Sequence, residues 1–170
     1  MMTIAELQQV KAYAQQDGIL LTLLWTASFL CIVFLPTTPW GMILMLATPF
    51  FMLWRLRKFR DDAREGKISF GRALLYCIQL FGAAAILFAV VQYSYFHWLD
   101  HGRFVTLITT SYEQIKPIYE QQGISIDDMQ TALGTLKEMS SIQLVGAFLF
   151  QNIVIGVFVS PFIALIGKRN

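Results

Sequence analysis

Apolar residues run through three stretches that contain no Asp, Glu, Lys or Arg: residues 18–54, 73–99 and 139–167, of 37, 27 and 29 residues. A bilayer core is about 30 Å thick and takes about 20 apolar residues as helix. The second and third stretches therefore hold one span each. The first holds two if a tight turn splits it. Pro36-Thr37-Thr38-Pro39 supplies that turn, because two prolines three apart break a helix. The pattern predicts an all-α integral membrane protein with four transmembrane helices, over residues 18–35, 39–58, 73–99 and 141–166. The second is short. It is expected to run past Trp54, with Arg55, Arg57 and Lys58 snorkelling into the head groups and Pro49 kinking it. A three-span alternative makes Trp40–Trp54 re-entrant or interfacial.

The polar stretches carry helical periodicity too. Residues 3–16 read as an amphipathic helix, with Thr3 and Glu6 as a capping box and Gly18 as its stop. Ile4, Leu7, Lys11 and Ala14 form its stripe, with Val10 and Tyr13 beside it. It reads as an interfacial or docking helix, or as a start helix packed on the bundle. Residues 100–140 read as an amphipathic αα-hairpin. Phe104, Ile108, Tyr112, Ile115 and Tyr119 line its first helix, which Pro117 is expected to bend and Gly123 to end. Ser125 is expected to cap the second helix, with Asp128 at the box position. Ile126, Met129, Leu133 and Leu136 line that helix, which is able to run on into span four. The hairpin reads as a partner-binding head or as a lid on the bundle.

Composition agrees with lipid as the solvent. Apolar residues make up 56% and charged residues 14%, against roughly 25% charge in soluble domains, and mean hydropathy is +0.55. Disorder, coiled coil, collagen and a disulfide scaffold are excluded. The basic residues set the orientation. The loop 55–72 holds seven: Arg55, Arg57, Lys58, Arg60, Arg64, Lys67 and Arg72. With Lys11, Lys168 and Arg169 they make ten on one side, against Arg103, Lys116 and Lys137 on the other. The ten belong in the cytoplasm, with both termini, and the hairpin then lies outside. No cleavable signal peptide is expected, so span one is an uncleaved anchor. Cys31 and Cys77 lie at different depths, beyond disulfide reach. A net charge of +2 gives no reason to expect nucleic acid as a partner.

Candidate chemistry is sparse. The basic loop is a contact surface for anionic lipid or for a protein partner. Inside the spans the polar side chains are neutral. Ser28, Thr48, Gln92 and Asn152, with Gln151, sit at similar depth and either line a polar pocket or bond between helices. Gly82, Ala85 and Ala89, and Gly156 with Ser160, are small residues at helix-packing spacing. His97, Asp100 and His101 would share one face if their helix continued, and three such ligands suit Zn²⁺. The other reading is an aromatic belt at the interface, with Tyr93, Tyr95, Phe96 and Trp98. No nucleophile elbow, Cys-x-x-Cys or His-Glu motif occurs. No enzyme activity and no cofactor is expected.

The basic loop ends in Ile68-Ser69-Phe70-Gly71-Arg72, and span three closes on Trp98-Leu99-Asp100. With four short spans and the long segment containing Met129, these resemble the domain-of-unknown-function 4199 family of small inner-membrane proteins of Bacteroidetes-type bacteria. Where that family often carries proline after the aspartate, this chain has His101. The resemblance covers nearly the whole chain and brings no catalytic residues. It implies a multi-pass protein of the bacterial inner (cytoplasmic) membrane with a membrane-associated partner, of the polyprenol-phosphate glycosyltransferase kind. The expected function is a non-catalytic anchor or accessory subunit. The alternatives are a lipid or small-molecule carrier using the polar pocket, and an exterior metal-binding protein. Four short spans bury little surface and allow a homodimer.

Overall fold

Helix α1, Ile4–Phe34, is a single rod of 31 residues. The computed structural model describes residues 3–122 and 125–169. The Thr3–Glu6 capping box starts α1 as expected, with the Glu6 N–H donating to Thr3 Oγ1 (3.3 Å) and the Thr3 N–H to Glu6 Oε2 (2.9 Å). Gly18 does not stop it, so the separate 3–16 helix and 18–35 span are one element. Glycine serves packing instead: a Cβ at Gly18 would stand 2.8 Å from that of Ala83. The buried stripe also differs from the expected one. Val10, Ala14, Asp17 and Leu21 face inward, while Ile4, Leu7 and Lys11 are exposed. At about 1.5 Å per residue the rod is about 46 Å long, well beyond a bilayer core of about 30 Å.

The Pro36–Pro39 turn reverses the chain as predicted. The single span expected over 39–58 is instead two helices, α2 at Trp40–Leu46 and α3 at Thr48–Ala63. Pro49 has no N–H to give and its ring would clash with the preceding turn. It sits in the first turn of α3, and Ala47 between the two helices keeps helical angles (φ −70°, ψ −15°), so the interruption lies just before the proline. Two neutral bonds help to hold this broken arm on α1. Ser28 Oγ donates to the Gly41 carbonyl (2.7 Å), and the Trp25 indole N–H donates to Thr48 Oγ1 (3.0 Å).

Helix α4, Phe70–Trp98, is the central element, with α1 packed on one side and α7, Ser141–Gly167, on the other. Thr22 hydroxyl reaches across from α1 to the Ala84 carbonyl (3.3 Å). Trp25, Phe29, Phe81 and Phe88 fill the seam edge to face. On the other side the Phe81 ring occupies the space at Gly156, as small-residue spacing in span four suggested. Gly82 faces open space and takes no part in packing, contrary to that reading. Among the described residues, α1, α4 and α7 are the three helices long and apolar enough to cross a membrane.

Between α4 and α7 lie α5, Arg103–Gln121, and α6, Asp127–Glu138. Phe104 roots α5 on the bundle, its ring 5.3 Å from Phe96 and 5.7 Å from Phe148. Helix α5 continues through Pro117. The expected stop at Gly123 lies outside the described residues. Ser125 bonds Asp127 rather than Asp128, and α6 starts without a side-chain cap. Helix α6 does not run on into α7: Met139 is extended, and a Ser140–Gln143 capping box restarts the chain. No residue within α6 is buried. The outward surface of the long helices is as apolar as a core, with Leu23, Ile86, Val90, Phe158 and Phe162 each exposed by 61–69%. A surface of this kind calls for lipid around it.

Candidate functional site

Chemistry concentrates at one end of the bundle, where α1 starts, α3 ends and α4 begins. Arg55 on α3 points inward. Its Nε–H donates to Asp17 Oδ1 (2.8 Å), and a terminal N–H of the same guanidinium reaches the same oxygen. The Tyr76 hydroxyl on α4 donates to Asp17 Oδ2. The two charged side chains are only 2% and 11% exposed. The Tyr76 ring lies parallel to Phe59 at 4.8 Å. One carboxylate thus ties three helices together. The sequence reading missed Asp17 because it took the charge before the first apolar stretch as a flank. A signal was there: the residues bounding that stretch, Asp17 and Arg55, have opposite charge, and a reversing chain returns them to one level.

A second carboxylate does the same work nearer the surface. Glu6 Oε1 accepts from Arg64 (3.0 Å) and from Arg72 (2.7 Å), joining α1 to both ends of the loop. Arg60 is bidentate to Asp61 (2.7 and 3.1 Å) and donates to the Gly167 carbonyl (3.2 Å). Its guanidinium, bonded to the Asp61 carboxyl, holds that group below the usual carboxylate range. The end of α7 is fastened further by an antiparallel bridge: Ile68 N–H to the Arg169 carbonyl (2.8 Å) and the Arg169 N–H back (3.0 Å). Of the seven loop cations, Arg55, Arg60, Arg64 and Arg72 are consumed by the fold. Arg57, Lys58 and Lys67 are exposed, with no ion pair among the described residues.

The neutral polar residues form no shared hydrogen-bond network among the described residues. Ser28 and Thr48 hold α1 to the α2–α3 arm, as above. Gln92 is buried on α4, its Oε1 without a hydrogen-bond partner among the described residues. Gln151 is exposed and Asn152 half-buried on α7, with α4 between that helix and α1. Among the described residues no hydrogen bond joins Ser28 or Thr48 to Gln92, Gln151 or Asn152. Both cysteines are free.

At the other end of the bundle the His97, Asp100 and His101 face does not form. Helix α4 ends at Trp98, and His101 has φ +45°. His97 stacks on Tyr93 (5.3 Å, 10°). Asp100 turns back onto the start of α5, accepting from the N–H groups of Gly102 (3.1 Å) and Phe104 (2.9 Å). Its carboxylate serves as a helix cap. Among the described residues no group of three or more His, Cys, Asp or Glu is placed to hold a metal ion.

The family model described as "Protein of unknown function (DUF4199)" matches residues 16–169. No curated protein and no solved structure matches the chain.

Proposed function

We propose that this chain, which belongs to the DUF4199 family, is a non-catalytic inner-membrane protein that anchors a partner through the face formed by Arg57, Lys58 and Lys67. One observation carries this reading: the fold uses every other cation of the loop internally and leaves these three exposed. The buried pair at Asp17 and the doubly bonded Glu6 hold that face stiff, so it presents a fixed array rather than a floppy polycation. An acidic patch on a protein at the cytoplasmic surface is its complement. The family resemblance suggests a membrane-associated glycosyltransferase for that role.

In this reading the chain crosses the bilayer four times, the α2–α3 arm forming the fourth crossing. Exposed Trp40, Met42, Phe50 and Trp54 along the arm support contact with lipid. Both termini and the basic face lie in the cytoplasm, and the α5–α6 hairpin lies outside. The test is affinity purification from native membranes with cross-linking mass spectrometry. Wild type is expected to bring down a stoichiometric protein cross-linked at Lys58 or Lys67, and Arg57→Glu/Lys58→Glu/Lys67→Glu to lose it while still inserting. A complex retained by that variant removes the face from the account.

Self-association through α7 is a second reading, favoured by Gln151. This exposed amide lies on one stripe with Ile155, Phe158 and Phe162, all exposed. An amide is both donor and acceptor, so the same residue of a second copy satisfies it across a two-fold axis. Gln151→Cys is expected to form a disulfide-linked dimer in membranes, and Gln151→Leu to weaken dimerisation. A strictly monomeric protein in nanodiscs counts against it.

A further inference from the structure

We propose that the cleft between the end of α1 and the first turns of α5 binds an amphiphile with one anionic head group, a phosphate or carboxylate held by Arg103. This stands apart from the partner face, at the opposite end of α1. The cleft is open and measures about 870 Å³, within the range of small-molecule sites. Val33, Phe34, Leu99 and Leu107 give it apolar walls. Arg103 lines it as well, its guanidinium carbon 4.9 Å from the centre of the Phe34 ring.

The guanidinium at this site has no direct carboxylate partner. Arg103 has no ion pair among the described residues. The acid in the same cleft, Asp100, is buried, and both of its oxygens are spent on the Gly102 and Phe104 N–H groups. Those bonds also occupy the backbone donors at the start of α5, so anion recognition rests on the side chain and not on the helix end. A guanidinium stacked on an aromatic face keeps its donor fork directed outward, and that fork matches phosphate or carboxylate oxygens two at a time. Apolar walls beside one unpaired fork fit an alkyl chain ending in an anion. A neutral lipid leaves the fork empty, and a free inorganic anion leaves the walls wet.

The probe is dodecyl phosphate, added to the full-length protein in dodecyl maltoside and read by native mass spectrometry. Dodecylphosphocholine and inorganic phosphate are the comparisons. Dodecyl phosphate is expected to bind at one equivalent and at least tenfold more tightly than either. Arg103→Gln is expected to weaken it at least tenfold, and Leu107→Trp, which fills the cleft, to weaken it independently of charge. Arg57→Gln/Lys58→Gln/Lys67→Gln is expected to leave it unchanged. Binding unaffected by Arg103→Gln and Leu107→Trp overturns the proposal. So does equal binding of inorganic phosphate, or loss confined to the loop variant. Nanodiscs distinguish the sources of the shared chemistry. If phosphatidylglycerol discs block the probe and phosphatidylcholine discs do not, bilayer lipid is the natural occupant. If neither blocks it, the occupant is a separate amphiphile.

Discussion

Asp17 on α1 and Arg55 on α3 form an ion pair sealed almost completely from solvent, although they stand 38 positions apart with no charge between them. A buried pair is weak evidence for stability when both partners are present, because desolvation offsets much of the attraction. Removing one partner is another matter, costing about 3–5 kcal/mol through the stranded charge. Asp17→Leu is therefore expected to destabilise the protein by that order, since Arg55 and the Tyr76 hydroxyl both lose their acceptor. Asp17→Leu/Arg55→Met is expected to recover most of the loss. Thermal unfolding in one detergent for the two single variants and the double variant checks this. Additive losses would contradict the coupling.

Two glycines separate packing from helix propensity. Gly18→Ala places a Cβ 2.8 Å from Ala83 and 3.1 Å from the Leu80 carbonyl, where backbone has to move. A loss of about 1–3 kcal/mol is expected, as for overpacking in general. Gly82→Ala, on α4 but facing open space, meets nothing within 4 Å. There the melting temperature is expected to hold or to rise slightly, as alanine favours helix over glycine by up to about 1 kcal/mol. A Gly18→Ala variant as stable as wild type would remove the close α1–α4 contact.

Asp100 is expected to behave as a cap and not as a ligand. Asp100→Ala removes both side-chain bonds to the first turn of α5, a loss of about 1 kcal/mol. Hydrogen exchange should quicken at Gly102 and Phe104, with the α1–α4 seam unchanged. His97→Ala should leave exchange at those amides as in wild type. Stoichiometric zinc in the purified protein, lost from either variant, would restore the metal reading.

The sequence made α4 and α7 legible, because a charge-free stretch of 27 or 29 residues admits little but a span. It also located the Pro36–Pro39 reversal and both amphipathic helices after Asp100. What it hid depends on partners distant along the chain. Gly18 looked like a helix stop because a glycine's role cannot be read without the surface it meets, here Ala83. The disturbance expected at Pro49 divides the arm into α2 and α3 at Ala47, whose own angles stay helical. Asp17 looked like a solvated flank because burial is decided by α3 and α4, not by its own neighbours. The loop cations were legible as a group. Their division into four used internally and three exposed came only with Glu6, Asp17, Asp61 and the Gly167 carbonyl in place.

The four-crossing topology underlies both the partner face and the outside hairpin, and sided labelling tests it most directly. In a background with Cys31 and Cys77 replaced by alanine, single cysteines are placed at Lys58, Ser125 and Lys168, all exposed positions. A membrane-impermeant maleimide is then added to intact cells and to inverted vesicles. The account predicts that Ser125→Cys is labelled only in cells, and Lys58→Cys and Lys168→Cys only in inverted vesicles. Lys58→Cys and Ser125→Cys labelled from the same side would contradict it.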